Sequence, residues 1–329
     1  MRKKMNPIFL KESGMLRGLE FSKRITDDLI QRLVDEKEVE VDNLESILHQ
    51  WSVESTLAAL YGSTYFQTRC QIDLNTFIQS VHDMFDNSAI LQTQSASIAC
   101  QSNSIPWQNF CRSACGAFDF LHDHFSDTSK LDDGMITLIS NKFDNDEEVV
   151  LRIVNDLIIA AADTTSYTTL WTMYLLAQNP QYQSGMKAKE ACKESMRLFP
   201  VAPFLTRIQQ DPIHVADYLI EAGQLVLISL YAMGRDEKYF PDADQFKPER
   251  WLRIHTKLAG VLHPFASLPF SFGVRSCIGK KLAEHQMEYF LCEFFKKFRL
   301  ESHDDSVPEM RMKLIGLPDR KIKLKKILL

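Results

Sequence analysis

Phe270-Ser-Phe-Gly273-Val-Arg275-Ser-Cys277-Ile-Gly279 is the stretch whose reading decides the fold. It sets one cysteine in a turn between glycines, with an arginine two residues before it and the helix-like run Lys281-Leu-Ala-Glu-His-Gln-Met after it. Gly273 and Gly279 permit backbone conformations and close approaches that a Cβ would block. A sulfur at the mouth of a helix has its thiolate form favoured by the helix dipole and by free amide N–H groups. Such a thiolate serves as a nucleophile, a metal ligand or the axial ligand of a haem. A cysteine near glycine is, taken alone, most often a buried structural residue, so the whole ten-residue pattern has to carry the argument.

The rest of the chain sets the frame. Its 329 residues can bury a large core, and 45% hydrophobic with 25% charged residues are globular proportions. A net charge of −5 gives no reason to expect nucleic acid as a partner. The seven cysteines (Cys70, Cys100, Cys111, Cys115, Cys192, Cys277 and Cys292) form no CxxC pair and no array with zinc spacing. They read as thiols of a reducing compartment, not as a disulfide framework. The basic start Met1-Arg-Lys-Lys-Met has no apolar run behind it, so it is not a signal peptide. The uncharged run from Thr164 to Met186 is too rich in Thr, Tyr and Gln to span a membrane and reads as a buried helix.

Most of the chain reads as helix. Phe21, Ile25, Leu29 and Leu33 recur every four residues, which predicts an amphipathic helix. Val39-Glu-Val41 reads as a short strand, and Asp42-x-x-Glu45 as a capping box opening a helix that runs to Gly62. Further helices are expected over Asn75 to Ser88 and Trp107 to Phe125, with the Gln/Ser-rich Leu91 to Ser104 as a loop. Glu147 to Gln178 is the longest helical candidate, stopped by Asn179-Pro180. A short helix from Lys187 to Leu198, strands at Phe204–Ile208 and Leu225–Ser229, and a loop-rich Gly234 to Ala266 follow. The last helix runs from Gly279 to Phe298, and Met310 to Leu329 reads as a final β-hairpin.

Two clusters stand out inside the helices. Glu194 and Arg197 lie at i and i+3 on one helix face. Exposed, such a pair is worth little; buried, the guanidinium needs a further partner, and Phe246-Lys-Pro-Glu-Arg250-Trp supplies one. Ala160-Ala-Ala-Asp163-Thr164-Thr165 puts poor helix formers into an apolar run, which is costly unless something uses them. The plain alternative is a Thr hydroxyl bonded to the preceding turn, and that is the reading for Thr165.

The F-x-x-G-x-R-x-C-x-G spacing resembles the haem-binding loop of the cytochrome P-450 family, and the other motifs follow in the family's order. The resemblance implies a mainly α fold with minor β, one domain over residues 1–329, incomplete. It implies that Cys277 ligates the haem iron and that Phe270, Gly273 and Gly279 shape its loop. Arg275 and Arg207 match arginines that bind the haem propionates, a task suited to the guanidinium fork. Asp163 and Thr164 match the acid and alcohol that relay protons to bound dioxygen, with Ala161 where the family has glycine. Glu194, Arg197 and Arg250 match a structural triad that locks the cysteine loop. Val201, Ala202 and Phe204 would line a substrate pocket; ordinary strand packing fits them equally. Lys189 and Lys193 match lysines with which mitochondrial members bind an acidic ferredoxin, and Lys280 and Lys281 would extend that face.

The activity implied is insertion of one atom of O2 into an apolar, steroid-like substrate. Its cofactors are haem b and O2, with electrons from NADPH through ferredoxin reductase and ferredoxin. Within the family the chain is most similar to the mitochondrial class, and more narrowly to insect hydroxylases of ecdysteroid synthesis. That implies a peripheral place on the inner mitochondrial membrane, although no targeting peptide or transmembrane segment is seen. The chain is short for the family: the tryptophan of a W-x-x-x-R helix, expected ahead of Arg2, is missing, and a segment near 183–189 looks deleted. A pocket open on one side is expected. Two other readings stay open: a haem-thiolate isomerase or lyase, and an inactive remnant that binds lipid or partners without haem.

Overall fold

The computed structural model describes all residues except 11, 37–39, 42, 93–95, 127–132, 255–256, 259–262, 264 and 303–306. Among the described residues the chain is mainly helical with small antiparallel sheets. The helices are α1 (Arg2–Leu10), α2 (Glu12–Asp35), α3 (Leu44–Tyr61), α4 (Ser63–Thr68), α5 (Leu74–Gln92) and α6 (Ala96–Gln101). They continue with α7 (Ile105–Phe125), α8 (Met135–Lys142), α9 (Glu147–Gln178), α10 (Ala188–Leu198), α11 (Leu230–Gly234) and α12 (Lys280–Lys297). The strands that matter below are β1 (Glu40–Val41), β2 (Phe204–Ile208), β3 (Ile213–Val215), β4 (Tyr218–Ile220) and β5 (Leu225–Ser229). After the short pair β6 (Arg253–Ile254) and β7 (Lys257–Leu258) come β8 (Phe298–Ser302), β9 (Met310–Met312), β10 (Gly316–Pro318) and β11 (Leu324–Leu328).

The core gathers around α9. Helix α3 packs along it, α2 along α3, and α12 crosses α2. Ile25, Leu29 and Leu33 of α2 are buried as their spacing predicts, and Phe21 packs at the edge. Trp51 of α3 pins this corner: its Nε1 donates to Thr26 Oγ1 at 2.9 Å, and its ring lies 4.6 Å from that of Phe290 on α12. Asp146 caps α9 by accepting from the Val149 N–H at 3.2 Å. Downstream, the Thr-rich run is buried without orphaned hydroxyls. Ser166, Thr168, Thr169 and Thr172 each donate to the carbonyl four residues back, at 2.7 to 2.9 Å. Trp171 then stacks flat on Phe199, 4.0 Å between centroids.

Several expectations are corrected. The segment expected as a loop over Leu91 to Ser104 carries the end of α5 and all of α6. The tail is not one hairpin: β9 pairs with β10, whereas β11 pairs with β8 and β1. The final strand instead finds the strand that leaves α12, with Leu324 opposite Ser302 and Leu328 opposite Phe298. Val39 and Asp42, named for the strand and the capping box, lie outside the described residues. Asn43 stands at the N-cap of α3 without a side-chain bond, and Glu45 accepts from the Tyr167 hydroxyl at 2.8 Å.

The connector between α9 and α10 is a single 3₁₀ turn, Pro180–Tyr182, followed by Gly185 at φ +63°. Gln183 closes it from inside. Its amide donates to the carbonyls of Leu176 and Leu300, both at 2.8 Å, and accepts from the Leu300 N–H at 2.9 Å. No helix among the described residues is long and apolar enough to cross a membrane.

Candidate functional site

Cys277 sits two residues ahead of the first turn of α12, whose N-cap, Gly279, offers no side-chain cap. The amides of Gly279 and Lys280 bond to its sulfur, filling two of the helix's free N–H groups. The Cys277 N–H donates to the Phe270 carbonyl at 2.8 Å, which closes the loop on itself. Ser271 and Gly273 both take left-handed backbone, φ +55° and +70°. Glycine suits the second; the serine is held there against its preference. Gly279 has an ordinary right-handed backbone, and a Cβ there would meet only the Cys277 sulfur, at 4.0 Å. Its glycine is therefore not demanded by conformation, contrary to the sequence expectation.

The thiol pKa is raised. The protein around it disfavours the charged form, and this outweighs the two amides, Arg2 and Lys280. The helix-mouth amides and the two cations favour the thiolate, and the surrounding protein opposes it.

Cys277 borders a cavity of about 340 Å3 that lies between its loop and α9. Phe270, Ser271, Arg275 and Gly279 line it from the loop side; Ala160, Ala161, Thr164, Thr165 and Thr168 line it from α9. Val201, Ala202 and Leu205 close a third wall, with Leu205 in the place expected of Phe204. The Thr164 hydroxyl is back-bonded to the Ala160 carbonyl at 2.8 Å, the arrangement expected of Thr165. Arg207 reaches the loop, with Nη2 3.5 Å from Ser271 Oγ. Arg2, passed over in the sequence reading, donates to the Ser276 carbonyl and lies 3.2 Å from Ser276 Oγ. Apolar Phe272 and Val274 stand 59% and 86% exposed on the same loop.

These residues fit a haem. A soft sulfur donor borders an apolar cavity, amides bond the sulfur, and three arginines converge on the loop to meet carboxylates.

Asp163 does not face the cavity. It is 1% exposed on the other side of α9, with Oδ1 2.9 Å from His82 Nε2 and 3.4 Å from His49 Nε2. Burial alone would raise its pKa, but the two histidines hold it below the usual carboxylate value. Thus the structure separates the expected acid–alcohol pair, placing one on each face of the helix.

Glu194, Arg197 and Arg250 come together, all buried. Arg197 grips Glu194 with Nε at 2.9 Å and Nη2 at 2.7 Å, and Arg250 Nε adds a bond of 3.0 Å. Trp251 Nε1 and the Lys247 N–H complete the carboxylate at 2.9 and 3.0 Å. Further guanidinium donors take the carbonyls of Gly234, Asp242, Ala243 and Gln245. Gly234 has no room for a Cβ against the Arg197 carbonyl. The carbonyls so tied belong to 234–245, not to the 270–279 loop.

Lys189, Lys193 and Lys280 share one electrostatic neighbourhood: burial, then Lys189, and further down Lys280, lower the Lys193 pKa. Glu190 and Glu284 lie among them, so the face is mixed in charge and not purely basic. Lys281 is half-buried in the first turn of α12.

A family model for cytochrome P450 matches residues 1–191 and 186–326, two pieces that overlap at the end of the connector and the start of α10. The chain belongs to the cytochrome P450 family. Among its relatives, cytochrome P450 315a1, mitochondrial, of Drosophila melanogaster is 29% identical over 304 residues, 87% of this chain and 58% of that protein. The mitochondrial 1,25-dihydroxyvitamin D(3) 24-hydroxylase of Mus musculus is 28% identical over 325 residues, 89% of this chain and 62% of that one. The chain thus spans about three fifths of the length of these relatives. A crystal structure of the heme domain of a cytochrome P450DA mutant superposes with a TM-score of 0.79. At 16% identity, covering 100% of this chain and 77% of that one, it shows the P450 fold.

Proposed function

We propose that the chain is the core of a haem-thiolate monooxygenase acting on steroid-like substrates, with Cys277 as the iron ligand. One observation carries this: Cys277, amide-bonded at the mouth of α12, faces Thr164 of α9 across an apolar cavity. When bound, haem supplies the reductive activation of O2, with one oxygen atom going to substrate and the other to water. Cys277 ligates through its thiolate, and the Gly279 and Lys280 amides stabilise that charge. Arg275, Arg207 and Arg2 neutralise the propionates. Thr164 would accept and pass a hydrogen bond at the cavity wall, while Asp163, turned to the other face of α9 between His49 and His82, takes no part in that route. Val201, Ala202 and Leu205 exclude water from the substrate's apolar body. Glu194, Arg197 and Arg250 hold α10 against 234–251, behind the site.

The finer parts of the reading rest on the relatives' names. Two are called mitochondrial, one of them a vitamin D hydroxylase. A third, the cholesterol side-chain cleavage enzyme of Oncorhynchus mykiss, is 36% identical over 200 residues, 54% of this chain and 38% of that enzyme. They support a mitochondrial setting, a sterol-derived substrate such as an ecdysteroid precursor, and electrons from NADPH through ferredoxin reductase and an acidic ferredoxin docking near Lys189, Lys193, Lys280 and Lys281. The test is turnover: haem-loaded chain, ferredoxin, its reductase and NADPH, with a panel of sterols. Hydroxylated product that disappears in Cys277→Ala is expected. Haem-loaded chain that consumes NADPH but oxidises no sterol would overturn the substrate class.

A further inference from the structure

The far face of α9 holds a group of side chains that the oxygenase reading leaves half explained. His49 from α3, His82 from α5 and Asp163 from α9 present Nε2, Nε2 and Oδ1 within 4.8 Å of one another. All three atoms are buried, and none makes a hydrogen bond of acceptable geometry. His49 is 2% exposed, and its Nδ1–H donates to the Glu45 carbonyl at 2.7 Å. A carbonyl only accepts, so the neutral ring carries its proton on Nδ1 and turns a bare Nε2 lone pair toward Asp163. Two acceptors facing each other at 3.4 Å are held together by a proton on Nε2 or by a metal cation between them.

We propose that His49, His82 and Asp163 form a binding site for one divalent transition-metal ion of the zinc type. Two imidazole nitrogens and one carboxylate are a donor set suited to zinc, with a fourth position left open. Ligand atoms about 2.0–2.2 Å from a tetrahedral ion stand roughly 3.3–3.5 Å apart; the 3.4 Å between His49 Nε2 and Asp163 Oδ1 matches that spacing, and His82 Nε2, 2.9 Å from the same oxygen, would move out by about 0.5 Å to admit the ion. The outer support is present too. The Nδ1–H bond to Glu45 fixes the tautomer and orientation of His49, as outer partners of metal-bound histidines do. The Tyr167 ring packs edge-on against His49 at 4.7 Å and is itself held by the Glu45 carboxylate. An entry path exists: a cavity of about 270 Å3, lined by Glu45, Asn75, Gln79 and both histidines, opens beside half-buried His82. The site is independent of the cysteine loop. A metal there would tie α3 and α5 to α9 on the face turned away from the cavity.

The full chain is titrated with Zn2+ against a chromophoric chelator, and with Co2+ as a spectroscopic probe. One equivalent should bind, and Co2+ should give visible d–d bands without sulfur charge-transfer absorption. Affinity should fall about tenfold or more in His82→Ala and in His49→Phe; the first removes a half-exposed ring, so its fold is retained. Absence of binding above the variants' level, or sulfur charge-transfer bands that survive both substitutions, overturns the site. Sterol turnover does not enter this result, so the two proposals fail separately.

Discussion

The Glu194 network and the Cys277 loop are built on opposite principles. Around Glu194, both carboxylate oxygens and most guanidinium donors are engaged inside the chain, with every member buried. Around Cys277 the loop presents a thiol to the cavity, leaves apolar Phe272 and Val274 exposed, and keeps Ser271 in left-handed backbone. The difference separates what the chain completes by itself from what it presents to something else. A closed network stabilises; an open loop is shaped for a group that it does not contain.

That contrast sets the sizes of the effects. Arg197→Ala should cost about 3–5 kcal/mol, because it strands a buried carboxylate and frees several carbonyls. Its denaturation midpoint, set beside that of Cys277→Ala, sharpens the comparison, since the exposed cysteine should cost no more than about 0.5 kcal/mol. Equal costs would erase the distinction. Trp251→Phe, which removes one bond to Glu194, should lie between them at about 2 kcal/mol by the same measurement. Gly273→Ala should cost about 1–2 kcal/mol through its φ of +70°; a neutral result would mean that the loop relaxes.

A smaller effect divides the two faces of α9 by pH in the metal-free chain. Burial opposes the charge on His82, but Asp163 outweighs it and raises the pKa above the ordinary 6.5. The stabilisation from His82 is therefore full below 6.5 and lost as pH rises through the folded value. Asp163 has the opposite sign: its lowered pKa contributes stability above 3.8 that is lost as pH falls through the folded value. NMR titration of the His82 ring protons should give a midpoint above 6.5, and one at or below 6.5 contradicts the pairing.

How much of this was legible beforehand depends on the distance over which each feature is encoded. The end of α9 follows from Asn179-Pro180, and the Asp146 cap at its start is seen only in the structure. Glu194, Arg197 and Arg250 are readable because the first two share a helix face and the third sits in a recognisable loop. His49 and His82 stand alone in their own helices; only the packing of α3 and α5 on α9 joins them to Asp163. Arg2 meets Ser276 across 274 positions, with no local trace. Helix α6 hides in Ser- and Gln-rich sequence whose periodicity is weak. The last strand pairs with β8, which starts where the expected helix stops at Phe298, and nothing local marks Phe298–Ser302 as its partner.

The most direct test of the central claim is the absorption spectrum of the haem-loaded chain, reduced and exposed to carbon monoxide. A Soret band shifted strongly to the red in the native chain, and absent from Cys277→Ala, is the predicted result. A spectrum without that shift, or one that Cys277→Ala leaves unchanged, contradicts Cys277 as the ligand.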